Sequence, residues 1–206
     1  ARAGRQALGV SFHVRPEDYG QRAWSDIAIE VAAAAAVMQE LSGIAVTVFD
    51  GGGGWTPDQL TAVLQQQLPA ALPQILASLP QVSRCFIEPG QGIARPVEAL
   101  ATHILEIRHH GQEREAIVDA GYPDLPQTTT FAHRVFYSAA GTIDAEVVEL
   151  GKGADRVAGS TCLEYDILRA EIALPPDAQP GDVLVVADAG AYDASMAFAF
   201  ARGASR

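Results

Sequence analysis

The chain has 206 residues, of which 49% are hydrophobic and 19% charged, a balance typical of a globular protein rather than a disordered one. The formal net charge is −11, with only 14 lysine and arginine residues and no basic run, which argues against binding to nucleic acid or to an acidic membrane surface. A small molecule or another protein is the partner that this composition favours.

No apolar stretch reaches the roughly 20 residues that span a bilayer, so the sequence predicts no membrane segment. The first residues lack the apolar core of a secretion signal, and the chain does not begin with Met, so we expect the native start to lie elsewhere. Cys85 and Cys162 provide neither a disulfide framework nor a metal-ligand spacing. We therefore expect no metal site and a reducing, cytoplasmic location.

Up to about residue 96, short β-branched runs alternate with helical periodicity. Gly43 stops the first helix, and Thr56 followed by Pro57 predicts the start of the next. This alternation is typical of parallel strands covered on both faces, as in a barrel. The predicted strands are 8–14, 44–50 and 84–88, and the predicted helices are 20–42, 57–66 and 70–79.

After Pro96 the texture changes to short strands separated by Gly, Pro and Asp turns, with one helix possible at 129–137. We therefore predict two domains, residues 1–96 and 97–206, the second mainly antiparallel. Its predicted strands are 97–108, 112–120, 143–150, 166–174 and 181–188.

Candidate site residues follow each of the first three strands. His13 ends the first, the run Gly51–Gly54 follows the second, and Glu88 with Gly90 closes the third. Barrels carry their sites at the carboxyl ends of strands, and a run of four glycines suggests close approach of the backbone to a ligand. The alternatives are a strand-end histidine, a plain turn and an ordinary strand-end glutamate.

The second domain carries one candidate nucleophile or acid, Cys162, four residues before Asp166. Its alternative is a buried structural cysteine, which describes Cys85 better. A later segment, Asp188-Ala189-Gly190-Ala191-Tyr192, offers a tyrosine that either donates to a phosphate or packs in the core. The histidines at 103, 109, 110 and 133 are interpreted as surface or structural.

From about Leu8 to Phe200, these motifs in this order resemble the second half of fold-type III pyridoxal-phosphate decarboxylases, the family of ornithine, diaminopimelate and carboxynorspermidine decarboxylases. The resemblance implies a partial (β/α)8 barrel, contributing its last three strands, followed by a mainly antiparallel β-sandwich or β-barrel domain. It also implies the cofactor pyridoxal 5'-phosphate, an amino-acid substrate and a homodimer with sites at its interface. The first half of such an enzyme, with its part of the barrel, is not in this chain.

The resemblance also implies roles for individual residues. His13 stacks on the cofactor ring, Glu88 pairs with its pyridine nitrogen, and both join Cys162 as catalytic residues. Cys162 acts in the neighbouring subunit's site. The residues implied to bind the phosphate or its surroundings are Gly52, Gly53, Gly54, Gly90, Gln91 and Tyr192, and those implied to meet the substrate are Tyr122, Leu163 and Asp166.

Departures from the family pattern bear on the substrate and the phosphate. Leu163 stands where ornithine-type and diaminopimelate-type members carry an acid, and a hydrophobic side chain cannot pair with a distal ammonium. Gln127 stands where diaminopimelate-type members carry a carboxylate-binding arginine. We therefore predict a substrate without a simple distal amine, as in secondary or siderophore metabolism, with diaminopimelate as the alternative. Arg15 and Pro16 replace a phosphate-binding Gly-Ser.

The chain has one lysine, Lys152, which lies between two glycines and is interpreted as a solvated turn lysine. By this interpretation the decarboxylase lacks its Schiff-base lysine here. Two other readings stay open: a non-catalytic homologue that binds or regulates, and an alanine-racemase-like enzyme, whose family lacks the Cys-x-x-x-Asp and Gly-Ala-Tyr signals. Three parallel strands leave open edges, so we expect a missing barrel half or another copy to cover them.

Overall fold

The structure is a computed structural model that describes residues 7–15, 22–139 and 147–200. It divides into two compact units, Ala1–Ile93 and Ala94–Arg206, and each is described by itself. Pro16, the first residues of the predicted helix 20–42 and the first half of the predicted strand 143–150 lie outside the described residues.

The first unit is a parallel three-stranded sheet with helices between its strands. The strands lie in the order β1-β2-β3, with β2 in the middle, and both pairings are parallel. This confirms the predicted class of alternating strands and helices. The elements are β1 (Ala7–Ser11), α1 (Trp24–Ser42), β2 (Ala45–Gly53), α2 (Pro57–Ala62), a π-helical turn (Val63–Gln67), α3 (Leu68–Ser78), β3 (Arg84–Glu88) and α4 (Gly90–Ala94).

One tryptophan and a stripe of alanines form the face of α1 that packs on the core of this unit. Trp24, Ala28, Ala32 and Ala35 recur at helical spacing and are all buried. Gly43 ends the helix in the left-handed conformation, and its N–H donates to the carbonyl of Gln39 at 2.9 Å.

The two helices predicted at 57–66 and 70–79 form one continuous helical stretch instead. Thr56 caps it as predicted, with its hydroxyl accepting from the N–H of Gln59 and the side chain of Gln59 accepting from the N–H of Thr56. The π-helical turn lies just before Pro69, which lacks an N–H and whose ring crowds the carbonyl of Gln65. Widening the helix there accommodates the proline without a break.

The second unit is a curled seven-stranded sheet in the order β7-β6-β10-β4-β5-β8-β9. Every neighbouring pair is antiparallel except β5 with β8, which confirms a mainly antiparallel β domain. The strands are β4 (Leu100–His110), β5 (Glu113–Val118), β6 (Val135–Ser138), β7 (Val148–Glu149), β8 (Lys152–Ala158), β9 (Ile167–Ile172) and β10 (Val183–Val186). Two 3-10 turns (Arg95–Val97, Pro126–Thr129) and the short helix α5 (Asp193–Met196) complete it.

The helix considered at 129–137 is wrong, and β8 was not predicted. Residues 126–129 form a 3-10 turn, and Val135 to Ser138 form a strand. The reason is a period of two, since Val135 and Tyr137 are buried while the residues between and after them are partly exposed. The three threonines at 128–130 are also stiff at χ1 and disfavour a helix.

Candidate active site

The carboxyl ends of the three parallel strands carry a histidine paired with a glutamate. His13 lies two residues after β1, and Glu88 is the last residue of β3. The Nδ1 atom of His13 is 3.1 Å from Oε2 of Glu88, and the two side chains are 52% and 55% exposed. The structure therefore brings together the two side chains that the sequence singled out in this unit, and leaves both open to a ligand.

The glycine run explains how these two side chains meet. A side chain at Gly52 would overlap the carbonyl oxygen of Phe12, and one at Gly53 would overlap the carbonyl of Glu88. Gly52 also has φ +66, a backbone conformation that glycine adopts at low cost. The close approach that these two glycines permit is thus to the neighbouring strands, which draws the ends of β1 and β3 toward β2.

Buried tryptophans lie beneath and beside the same loop. The indole Nε1 of Trp24 donates to the carbonyl of Gly51 at 2.9 Å. Trp55 follows the loop directly and is buried, and its Nε1 has no partner among the residues that the structure describes. A buried donor without a partner is uncommon, and it leaves a hydrogen-bond donor beside the glycine loop. Gly90 and Gln91 lie at the start of α4, where a side chain at Gly90 would meet only open space.

In the second unit, Asp166 organises the loop that carries Cys162. Its buried carboxylate accepts from the N–H of Thr161 at 2.8 Å, from the N–H of Tyr122 at 2.5 Å and from the hydroxyl of Thr161. The carboxylate packs so tightly on Gly159 that a side chain there would overlap it. Asp166 is therefore occupied by its own loop, and its observed contacts hold that loop in place.

The loop presents Cys162 at the surface and packs against an aromatic cluster. Cys162 is exposed and Leu163 is partly buried. The ring of Tyr122 packs edge to face on Tyr165, with centroids 4.9 Å apart, and on Phe198, at 6.1 Å. Cys162, Leu163, Tyr122 and Asp166 therefore gather around one loop.

The interpretation of Cys85 as a buried structural cysteine is wrong. Cys85 is exposed. It lies on β3, an edge strand of the three-stranded sheet, where most of the strand is exposed.

Three further residues differ in exposure. Tyr192 is 55% exposed, so it is not a core aromatic. Gln127 is buried, and its Nε2 lies 3.0 Å from the sulfur of Met196. Lys152 is the first residue of β8 and forms an ion pair with Glu171 at 3.2 Å, with 82% of its side chain exposed.

Sequence reasoning missed one pair, His133 with Asp193. Both side chains are fully or almost fully buried, and Nε2 of His133 lies 2.9 Å from Oδ2 of Asp193. No spacing rule links two residues 60 positions apart, so only the fold reveals them. Asp193 directly follows Tyr192 in the chain.

The described residues offer neither a metal-ligand cluster nor a helix that could span a membrane. Among these residues, no group of three or more His, Cys, Asp or Glu side chains could hold a metal ion. None of the helices in the described ranges is long and apolar enough to cross a bilayer.

Solved structures share this combination of a parallel-strand unit and a mainly antiparallel sheet. Diaminopimelate decarboxylase from Helicobacter pylori, complexed with L-lysine, matches with a TM-score of 0.66 and 23% identity, over 94% of this chain and 46% of that chain. Lysine decarboxylase from Selenomonas ruminantium matches with a TM-score of 0.68 and 24% identity, over 95% of this chain and 51% of that chain. The chain therefore shares the fold of the matching parts of these two decarboxylases.

The sequence itself supports a family assignment. The family described as pyridoxal-dependent decarboxylase, C-terminal sheet domain, matches residues 47–190, which is more than half of the chain. The chain belongs to this family, and the resemblance drawn from its motifs is confirmed.

Curated relatives agree with this assignment. Diaminopimelate decarboxylase from Escherichia coli is 29% identical over 133 residues, covering 62% of this chain and 32% of the relative. Chloroplastic ornithine decarboxylase from Nicotiana glauca is 27% identical over 201 residues, covering 93% of this chain and 45% of the relative. The chain thus matches less than half the length of either relative.

Proposed function

We propose that this chain is part of a pyridoxal-phosphate-dependent amino-acid decarboxylase. The observation that carries the proposal is the His13–Glu88 pair, half-exposed at the ends of neighbouring parallel strands in a member of the decarboxylase family. A structural neighbour described as an SrLDC mutant was crystallised in complex with PLP, which supports the same cofactor here.

The residues at the strand ends fit this cofactor. When bound, pyridoxal phosphate supplies a ring that accepts the electron pair left when a substrate carboxylate departs as carbon dioxide. Glu88 is a half-exposed carboxylate that would hold a proton at the ring nitrogen, because a nearby negative charge favours the protonated form. His13 offers an imidazole for the ring face. Gly54, Gly90 and Gln91 are proposed to contact the phosphate.

Cys162 is proposed as the acid that returns a proton to the substrate carbon. Its exposed thiol can reach a ligand, and the Asp166 hydrogen bonds fix the loop that presents it. Tyr192, also exposed, is proposed as a phosphate donor through its hydroxyl.

The substrate is proposed to lack a simple distal amine. Leu163 offers no charge to a distal ammonium. Gln127, which stands where diaminopimelate-type members carry an arginine, is buried beside Met196 rather than open to a carboxylate. Diaminopimelate remains the alternative, since relatives such as the E. coli protein are diaminopimelate decarboxylases.

The proposal also includes partners and a location. We propose a homodimer in which Cys162 serves the neighbouring subunit's site, with the remaining barrel strands and the cofactor-binding lysine supplied outside this chain, in the cytoplasm. The exposed residues of β3, an edge strand, support a covering partner. The solvated ion pair of Lys152 supports assigning the cofactor lysine elsewhere.

The test is carbon dioxide release by the full-length protein. Purified protein is supplied with pyridoxal phosphate and a panel of carboxyl-labelled amino acids: diaminopimelate, ornithine, lysine, arginine and analogues whose distal end carries no amine. We expect cofactor-dependent release, fastest with an analogue. Release fastest with diaminopimelate would overturn the substrate proposal. Cofactor binding without release from any compound would favour the non-catalytic homologue.

A further inference from the structure

The segment that carries Tyr192 is held in an unfavourable backbone conformation. Asp188 has φ 62 and Tyr192 has φ 71, and neither is a glycine. Left-handed conformations of this kind cost free energy and persist only where the surroundings fix them. Five residues, 188–192, thus run between two constrained ends.

The Asp188 end is fixed by an arginine. The carboxylate of Asp188 accepts from Nε of Arg134 at 2.8 Å and from Nη2 of the same residue at 3.2 Å. Two parallel hydrogen bonds of this kind define orientation as well as distance.

The Tyr192 end is fixed by the residue that follows it. Asp193 is 1% exposed, and its two carboxylate oxygens face different partners: Oδ2 lies 2.9 Å from Nε2 of His133, and Oδ1 accepts from the N–H of Gln127 at 2.9 Å. His133 and Arg134 are consecutive, so two adjacent residues hold both ends of the segment.

The middle of the segment is held from another side. The N–H of Ala189 donates to the carbonyl of Glu98, and the N–H of Gly190 donates to the carbonyl of Arg95, both at 3.1 Å. Arg95 is buried, and its guanidinium lies 3.8 Å above the ring of Phe131. The backbone around Tyr192 is thus fixed, while the Tyr192 side chain stays 55% exposed.

We infer that His133 and Asp193 are positioning residues for Tyr192, so that its hydroxyl meets the phosphate group of the cofactor in a fixed geometry. This inference rests on the proposed function, which gives Tyr192 that contact. A buried carboxylate such as that of Asp193 rarely adds stability over apolar packing, so a role in fixing one conformation accounts for the His133–Asp193 contact better than stability alone. The expected ligand group is a phosphate monoester.

The test compares two probes, pyridoxal phosphate and pyridoxal, whose affinities are measured by equilibrium dialysis with the full-length protein. Tyr192→Phe should lower the affinity for pyridoxal phosphate about tenfold or more, which is the value of one hydrogen bond to a charged group. The affinity for pyridoxal should stay unchanged. His133→Phe should lower the affinity for pyridoxal phosphate selectively and by a similar factor. The double variant of His133 and Tyr192 should lose little more affinity than either single variant, because both changes remove the same contact of the Tyr192 hydroxyl with the phosphate. His133→Gln, whose amide can still donate to Asp193, should restore most of the affinity.

Tyr137→Phe is the matched control. It removes another buried hydrogen bond to a carboxylate in the same unit, that of Tyr137 with Asp182, and should leave the ratio of the two affinities unchanged. If His133→Phe does not fold, Asp193→Asn replaces it as the disrupting variant and His133→Gln stays the conservative one, with hydrogen exchange at 188–196 as the second measurement.

The outcomes separate the two claims. If Tyr192→Phe leaves the ratio unchanged, the phosphate role in the proposed function is wrong. If Tyr192→Phe shifts the ratio but His133→Phe or Asp193→Asn does not, the positioning inference is wrong and the proposed function stands. Equal weakening of both probes by the His133 variant would also contradict it.

Discussion

At the scale of single residues, Cys162 and Asp166 belong to one sequence motif but have different surroundings in the fold. Asp166 is buried and fully engaged by Thr161 and Tyr122, whereas Cys162 is exposed on the loop that those bonds hold. The motif therefore contains one residue that holds the loop and one residue that the loop exposes.

The exposed thiol gives the first residue-scale prediction. Cys162→Ala should lower turnover by about a hundredfold or more, the usual contribution of a positioned acid, while cofactor affinity stays unchanged. The measurement is steady-state amine formation by the full-length protein, with the ratio of correct to aberrant product.

Cys85→Ala is the matched control, because Cys85 is also exposed and also forms no disulfide. It should leave turnover unchanged. If the Cys162 variant kept both turnover and product ratio, the thiol would not be the acid.

At the scale of elements, we expect the stability that the segment 188–193 contributes to depend on pH in the acid range. The hydrogen bonds from Arg134 hold the pKa of Asp188 below its ordinary value of 3.8. The stability that this carboxylate contributes is therefore complete above about pH 4 and is lost as pH falls through the lower folded value.

Asp188→Asn tests this directly. Asparagine also tolerates the left-handed backbone, so the change removes the charge and one of the two hydrogen bonds from Arg134 without straining the backbone. The free energy of unfolding should fall less steeply below pH 4 in the variant than in the wild type, and the two curves should converge in acid. Denaturant unfolding at pH 7, 4 and 3 measures it, and parallel curves over that range would contradict the assignment.

The strands and turns show how far sequence alone reaches. Thr56 and Gln59 announce a helix start through local chemistry, and the strand at 84–88 was predicted with its observed bounds because its apolar run is flanked by turn residues. The strand at 135–138 was missed because a run of four residues is too short for its period of two to stand out, and β8 was missed because its glycine and alanines carry little periodicity. Contacts over long sequence separations, such as His133 with Asp193, leave no local signal.

At the scale of the whole molecule, family membership is secure from the motifs and the comparisons, since the match spans 47–190. The roles of the candidate site residues stay predictions. The glycine run predicted close approach of the backbone to a ligand, and the structure adds that Gly52 and Gly53 permit the close approach of the neighbouring strand ends. The fold decides which backbone atoms lie opposite each of these glycines, and the sequence alone does not reveal them.

The central proposal is that the His13–Glu88 pair forms part of the cofactor site of a decarboxylase. The most direct measurement is the rate of carbon dioxide release by full-length Glu88→Gln at saturating pyridoxal phosphate, against Glu40→Gln, which removes an exposed charge from α1. We expect at least about a tenfold lower rate for Glu88→Gln, because the charge that keeps the ring nitrogen protonated is gone, and an unchanged rate for Glu40→Gln. Equal rates for Glu88→Gln and wild type would contradict the claim.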